Sequence, residues 1–431
     1  MREEEIRGVD LKAYTKTLAN GFKIYLVPNK KSKKKNKYYA ALGTHYGALD
    51  IDFSLGNKTI SSPAGIAHFL EHKIFAQEDG VDPFTFFSES GCYSNAYTNY
   101  KVTCFIIGGS KELEKNLDFL IDFVHQPYFT KENVEQEKDI IVQEIRMYQD
   151  NPGYQVSETL SKNIYLQLPF YNQVIGSEKS VRSVTVEDLN TCYHAFYQPQ
   201  NMFLVMTGNF DPITVMEQLT EKISKFENKK EVVKIKKYHE PMKIKKEMEV
   251  IHGKVELPKV AIAYKMSRDS FPIVEDYVLD LYLNMITAIS FGSTSDFREM
   301  IRKRGLTTGI GYYFRRSSNC ITLFIEAECK TETAADELIE EIDKYLKHLV
   351  IHPEDLERIK KVWISSEIIR SDYAENYLDY LVDDIIEYNR IVLDYVDLIR
   401  KMNMKELEKI VAKLNFKQRS IVKLLKQDKE N

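Results

Sequence analysis

The chain has no stretch near the roughly 18 uninterrupted apolar residues that would span a bilayer. It also lacks any excess of charge and any cysteines at CxxC spacing. Its five cysteines (Cys92, Cys104, Cys192, Cys320 and Cys329) are odd in number and scattered, which excludes a disulfide framework and a cysteine metal site. They read as small buried hydrophobes. Lys and Arg number 60 against 64 Asp and Glu, a net charge of −4 that exerts no pull toward nucleic acid or an anionic membrane. The start, Met1-Arg-Glu-Glu-Glu-Ile6, lacks the basic and apolar segments of a signal peptide. A cytoplasmic protein with neither a nucleic-acid nor a membrane partner is therefore expected.

What is present is globular. The 43% apolar and 29% charged shares are those of a soluble domain protein. A chain of 431 residues is too long for one ordinary core, and two domains of roughly 200 residues are expected. Tyr14–Pro28 reads as a hairpin, with Asn20-Gly21 favouring a type I′ turn. Lys30–Lys37 reads as a solvated loop before a strand at Tyr38–Tyr46, without the aromatic or Gly-rich companions of a phosphate site. Strands are expected at Val102–Ile107 and Met202–Thr207, with helices across Lys111–Gln149. Residues 228–247 are Lys-rich and aperiodic, and read as a linker between domains at 1–227 and 248–431. Beyond it the order repeats. Strand Lys259–Tyr264 precedes helix Phe271–Ala288, and strand Cys320–Ile325 precedes helices Thr333–Val350 and Pro353–Arg370. Leu113–Ile145 matches Leu338–Ile368, so two related α+β halves are expected. Trp363 and the many Tyr and Phe residues read as core.

The chemistry lies in His68-Phe-Leu-Glu71-His72. Helical positions four apart are separated by about 40°, so His68 and His72 share a face, and Glu71 shares it too. Two imidazoles so placed can direct nitrogens at one Zn²⁺, with the glutamate free to take a proton from water. The remaining histidines have no helical partner at that spacing. Zinc needs a third protein ligand and an open position. The best source is the helix Glu135–Tyr148, where Glu137 and Glu144 are nearly two turns apart on one face. Ile140 and Ile141 between them are expected on the buried side. Two carboxylates on a largely apolar stripe are costly unless paired or coordinated. One would ligate the metal and the other would brace a ligand by hydrogen bonding.

These residues resemble the insulinase/pitrilysin (M16) family of zinc peptidases with the inverted HxxEH motif, in its bacterial processing-peptidase-like (M16B) branch. The resemblance spans nearly the whole chain. It rests on Gly65–His72, Gly91–Thr98, Glu137–Glu144 and Phe196–Met202. It implies two homologous α+β domains of the LuxS/mitochondrial-processing-peptidase-like metallohydrolase type, each a mainly antiparallel sheet packed with helices. It further implies His68, His72 and Glu144 as ligands of one Zn²⁺ per chain. Glu71 would be the general base, and Glu137 would support a ligand or its hydrogen-bond network. Ser94, Asn95 and Ala96 would lie on an edge strand to which a substrate peptide adds.

The second half departs from the family pattern. An Arg and a Tyr seven residues apart usually flank an Arg-Gly-Leu-like core. Around Arg304-Gly305-Leu306 those positions hold Ile301 and Thr308, while Arg298, Arg302, Tyr312 and Tyr313 are out of step. The resemblance therefore implies a zinc-bearing subunit whose M16-type partner supplies the Arg/Tyr pair, an unequal pair being favoured over a homodimer. The enclosed chamber would hydrolyse peptides, leader peptides among them. The competing expectation is a non-catalytic assembly or peptide-binding subunit with the peptidase fold.

Overall fold

Tyr38–Thr44 and Met202–Gly208 are apolar almost throughout. The computed structural model, which describes residues 1–33, 36–273 and 275–427, shows why. Both strands lie inside a seven-stranded sheet and are buried along their whole length. A strand covered on both faces need not alternate apolar with polar residues. From edge to edge the sheet runs Arg2–Ile6, Leu11–Thr17, Lys23–Pro28, Met202–Gly208, Tyr38–Thr44, Thr103–Gly109 and Tyr93–Thr98. Lys23–Pro28 pairs with Met202–Gly208 in parallel, and the other neighbours are antiparallel.

This sheet belongs to a compact unit formed by Met1–Ile145, Gln173–Lys236 and Ser365–Asp397. On one face, helices Ile66–Ile74, Leu113–His125, Val186–Phe196 and Pro212–Ile223 contribute Phe69, Leu120, Leu189 and Leu219 to the main core. On the other, helix Ala374–Tyr388 lays Tyr377, Leu381 and Ile385 over Ala41, Phe203 and Val205.

A second unit comprises Arg146–Asn172, Lys237–Ile364 and Leu398–Asn431. Its sheet runs Met248–Gly253, Gln418–Lys426, Lys259–Ser267, Cys320–Cys329 and Thr307–Ser317, with a parallel first pair and antiparallel pairs after it. Strand for strand this repeats the first sheet from Lys23–Pro28 to Tyr93–Thr98. The two halves therefore share one topology, as the internal match predicts. Helix Pro152–Ile164 packs on Lys259–Ser267 and Gln418–Lys426. Each unit thus takes one sheet-covering helix from the other half of the sequence.

Two local expectations are corrected. The first hairpin does not use a type I′ turn, which needs positive φ at both central residues. Gly21 has φ +86°, and Asn20 is not in the left-handed region. Leu18 pairs with Phe22, and the Gly21 amide donates to the Leu18 carbonyl, so the loop has three residues and ends on a left-handed glycine. The helix expected from Phe271 starts at Asp276, because Pro272 biases the residue before it toward extended backbone. In the Lys-rich run, Lys34 and Lys35 lie outside the described residues.

Within residues 228–247, Val233–Ile235 form a strand paired with Asp52–Leu55, which pairs in turn with Lys58–Ser61. Further on, Glu240 is wholly buried with Lys265, 2.7 Å away, both side chains 0% exposed. The carboxylate also accepts the Leu166, Gln167 and Leu168 amides at 2.7–2.9 Å. Lys265 donates to the Pro241 and Lys243 carbonyls as well. Burial works against the Glu240 charge, but Lys265 and the three amides together hold its carboxyl below the usual range. Removing one partner of such a pair strands the other. Glu240→Ala should cost about 3–5 kcal/mol in urea unfolding of the whole chain. A loss below about 1 kcal/mol would show that the pair is dispensable.

Candidate metal centre

The helix Ile66–Ile74 starts on Gly65, at φ +91°. A Cβ there would lie 2.5 Å from the Ile175 carbonyl oxygen, so only glycine permits this approach. The helix buries Ile66, Phe69, Leu70 and Ile74 and turns His68 and His72 toward helix Lys131–Gln149. The two imidazole rings are 4.6 Å apart. Glu144 Oε2 lies 3.8 Å from His68 Nε2 and 3.7 Å from His72 Nε2. Ligand atoms of all three residues fall within 4.8 Å of one another. Tetrahedral N and O donors at zinc bond lengths sit about 3.3–3.6 Å apart, so two nitrogens and a carboxylate oxygen so placed fit zinc with little movement.

Glu137 comes from the same helix as Glu144, nearly two turns earlier. Its Oε1 lies 3.0 Å from His72 Nδ1, and its Oε2 accepts from Lys73 Nζ at 3.2 Å. A proton held on Nδ1 leaves Nε2 facing Glu144. Burial opposes the Glu137 charge, yet His72 and Lys73 keep its carboxyl below the usual value. Burial, helped by His72, pushes His68 down to about 3, which favours the neutral form that a metal would need. The His68 Nδ1 is buried without a hydrogen-bond partner among the described residues.

Glu71 is buried, and its Oε2 accepts the Thr98 hydroxyl at 2.7 Å. Burial pushes its carboxyl up, only partly offset by Thr98 and His72. Burial raises Glu144 as well, with His72 opposing. Thr98 ends the edge strand of the seven-stranded sheet, and that strand carries Ser94, Asn95 and Ala96 opposite Ile107, Ile106 and Phe105. The site residues read from the sequence are therefore brought together as one group of donors beside one edge strand.

Ile140 does not share the buried side with Ile141. Ile141 is 0% exposed and Ile140 is 54% exposed. The stripe facing the core is Val134, Lys138, Ile141, Val142 and Ile145, and Ile140 falls off it. Lys73 and Thr98 carried no assigned role in the sequence. A lysine beside a motif reads as solvated, and a threonine ending a strand reads as β-former, so neither partner shows before folding. In the second unit, Ile301 is buried in helix Asp296–Lys303, and Thr308 lies where the edge strand shifts register against its neighbour. Arg298 donates to the Phe291 carbonyl at 3.3 Å. Burial raises the Tyr312 hydroxyl, against the charge of Arg298. Tyr313 stacks on Phe324.

A two-histidine, one-carboxylate donor set with a further carboxylate beside it, on paired α+β units, is the layout of a zinc peptidase. Comparison with known proteins agrees. The family described as Insulinase (Peptidase family M16) matches residues 60–178, and that described as Peptidase M16 inactive domain matches residues 183–362. The uncharacterized zinc protease YmfH of Bacillus subtilis is 35% identical over 297 residues, 68% of each chain. The crystal structure of an M16-like peptidase from Alicyclobacillus acidocaldarius superposes with TM-score 0.89 at 26% identity, covering 97% of this chain and 99% of that one. Periplasmic protease PqqL of Escherichia coli gives TM-score 0.74 at 17% identity, over 99% of this chain but 48% of PqqL. The chain belongs to the insulinase family of M16 peptidases.

Two predictions follow from this geometry. Glu137→Gln, which weakens the brace on His72, should lower zinc affinity about 10- to 100-fold in competition with a chelator. Unchanged affinity would remove Glu137 from the metal's support. Burial alone would lower His72, but the hydrogen bond to Glu137 and the charges of Glu137, Glu71 and Glu144 hold it above 6.5. Zinc must displace that proton, so affinity should fall about tenfold per pH unit below the His72 value and level off above it. Affinity constant from pH 5 to 8 would contradict the assignment.

Proposed function

We propose that this chain is a zinc-dependent endopeptidase that holds one Zn²⁺ through His68, His72 and Glu144 and uses Glu71 as general base. The observation that carries the reading is the convergence of these three donors with Glu71 on the adjacent turn. Zinc, when bound, supplies Lewis-acid activation of water and of the scissile carbonyl. The chain's own residues do the rest. Glu71 accepts a proton from the attacking water and returns it to the leaving amine, so hydrolysis balances without a covalent intermediate. Its raised carboxyl value suits that exchange. Ser94, Asn95 and Ala96 offer strand backbone to an extended peptide, which gives affinity with little sequence demand.

The missing Arg/Tyr pair favours a second, unequal M16-type subunit. Peptides that fit an enclosed chamber, leader peptides among them, are the substrate class. The five free, buried cysteines suit a reducing compartment such as the cytoplasm.

Glu71→Gln should retain zinc and lose about 10²- to 10⁴-fold in peptide hydrolysis. Hydrolysis at the wild-type rate would displace Glu71 as the base. The chain purified alone should be weakly active and should gain activity with the partner subunit. Full activity from the lone chain would defeat the unequal pair. Absence of zinc under metal-replete conditions would favour a non-catalytic assembly subunit.

A further inference from the structure

We infer that Thr98 is the positioning residue for the general base: its hydroxyl fixes the rotation of the Glu71 carboxyl from the end of the edge strand. The inference rests on the proposed peptidase reading. A glutamate side chain turns about three bonds, and a base must present one oxygen to the proton it abstracts. Glu71 has nothing to spare for this. Among the described residues, its one hydrogen bond is the 2.7 Å contact from Thr98 Oγ1 to Oε2, which leaves Oε1 free for the proton.

The Thr98 hydroxyl is itself held. Thr103 stands directly opposite it in the antiparallel register. The two hydroxyl oxygens are 3.2 Å apart. Thr103 is 0% exposed and lies 3.0 Å from the Tyr46 carbonyl, an acceptor only. The Thr103 proton is drawn to that carbonyl, so the Thr98 proton goes to Glu71. The wall behind this pair is closed. Tyr46 is 0% exposed, and the Tyr197 hydroxyl, which feels both Glu71 and Thr103, is buried without a hydrogen-bond partner among the described residues. Among the described residues, Thr98 is nonetheless the hydroxyl that bonds Glu71.

The placement has a consequence for catalysis. Thr98 lies two residues beyond Ala96 on the strand proposed to seat the peptide. One element therefore sets both the substrate backbone and the base, and the scissile bond and the Glu71 carboxyl are registered against the same strand. A base misplaced by about 1 Å can lose about 10²-fold in rate.

The test compares Thr98→Val, Thr98→Ser and Glu71→Gln, each zinc-loaded and assayed on a quenched fluorogenic peptide in the assembly that cleaves it. The same variants are crystallised. Thr98→Val keeps the side chain's shape and removes the donor. Its kcat should fall roughly 10- to 100-fold, with KM within about twofold and zinc content unchanged. Its crystal structure should show the Glu71 carboxyl turned away from its wild-type position. Thr98→Ser should recover kcat to within about threefold of wild type. Three results would overturn the inference: wild-type kcat in Thr98→Val, a Glu71 carboxyl unmoved in its crystal structure, or a serine variant no better than valine. If Glu71→Gln loses activity and Thr98→Val does not, the positioning role fails alone. If Glu71→Gln hydrolyses normally, Glu71 is not the base and the positioning role falls with that assignment.

Discussion

Three carboxylates meet two imidazoles in one small, half-buried space, and that excess of negative charge is the constraint on which the site depends. Glu71, Glu137 and Glu144 surround His68 and His72, with Lys73 the one lysine paired among them in the described residues. With neutral imidazoles, two negative charges are left uncompensated. Burial makes that expensive, as the raised carboxyls of Glu71 and Glu144 record. A divalent cation would supply the missing charge at the place where the donors converge. The group that would stabilise the site is therefore also the group that would make it chemically useful.

The fold supplies the convergence through the first sheet. The helix carrying HxxEH and the helix carrying both glutamates contribute buried faces to one core, so their spacing is fixed by Phe69, Leu70, Ile141 and Ile145 rather than by the charges. Glycine at position 65 allows the motif helix to begin against the Ile175–Gly176 backbone. The edge strand Tyr93–Thr98 stays at the margin of the sheet, with Thr98 reaching Glu71. The second unit repeats the topology without the donors. Ile301 there is an ordinary buried side chain.

Much of this could be read before folding. Helical spacing put His68, His72 and Glu71 on one face, and the seven-residue interval did the same for Glu137 and Glu144. The repeat along the chain showed two related halves, and matching sheet orders are the physical form of that repeat. Local rules failed where tertiary contacts decide. Asn20-Gly21 favours a two-residue turn, but pairing of Leu18 with Phe22 lengthens the loop. Ile140 looks like core by composition, yet the helix turns it outward beside Glu144's face. Lys73 and Thr98 were silent because their partners are 64 and 27 residues away in sequence. Reciprocal placement of Pro152–Ile164 and Ala374–Tyr388 left no trace in periodicity, since either sheet could bury either helix.

The most direct measurement of the central claim is zinc-edge X-ray absorption of the purified chain. It should show one zinc per chain with nitrogen and oxygen scatterers alone, two of them imidazoles, at about 2.0–2.2 Å. Loss of that signal in His72→Ala should follow. A sulfur scatterer, or a zinc environment that survives the removal of His72, would place the metal elsewhere and contradict the account.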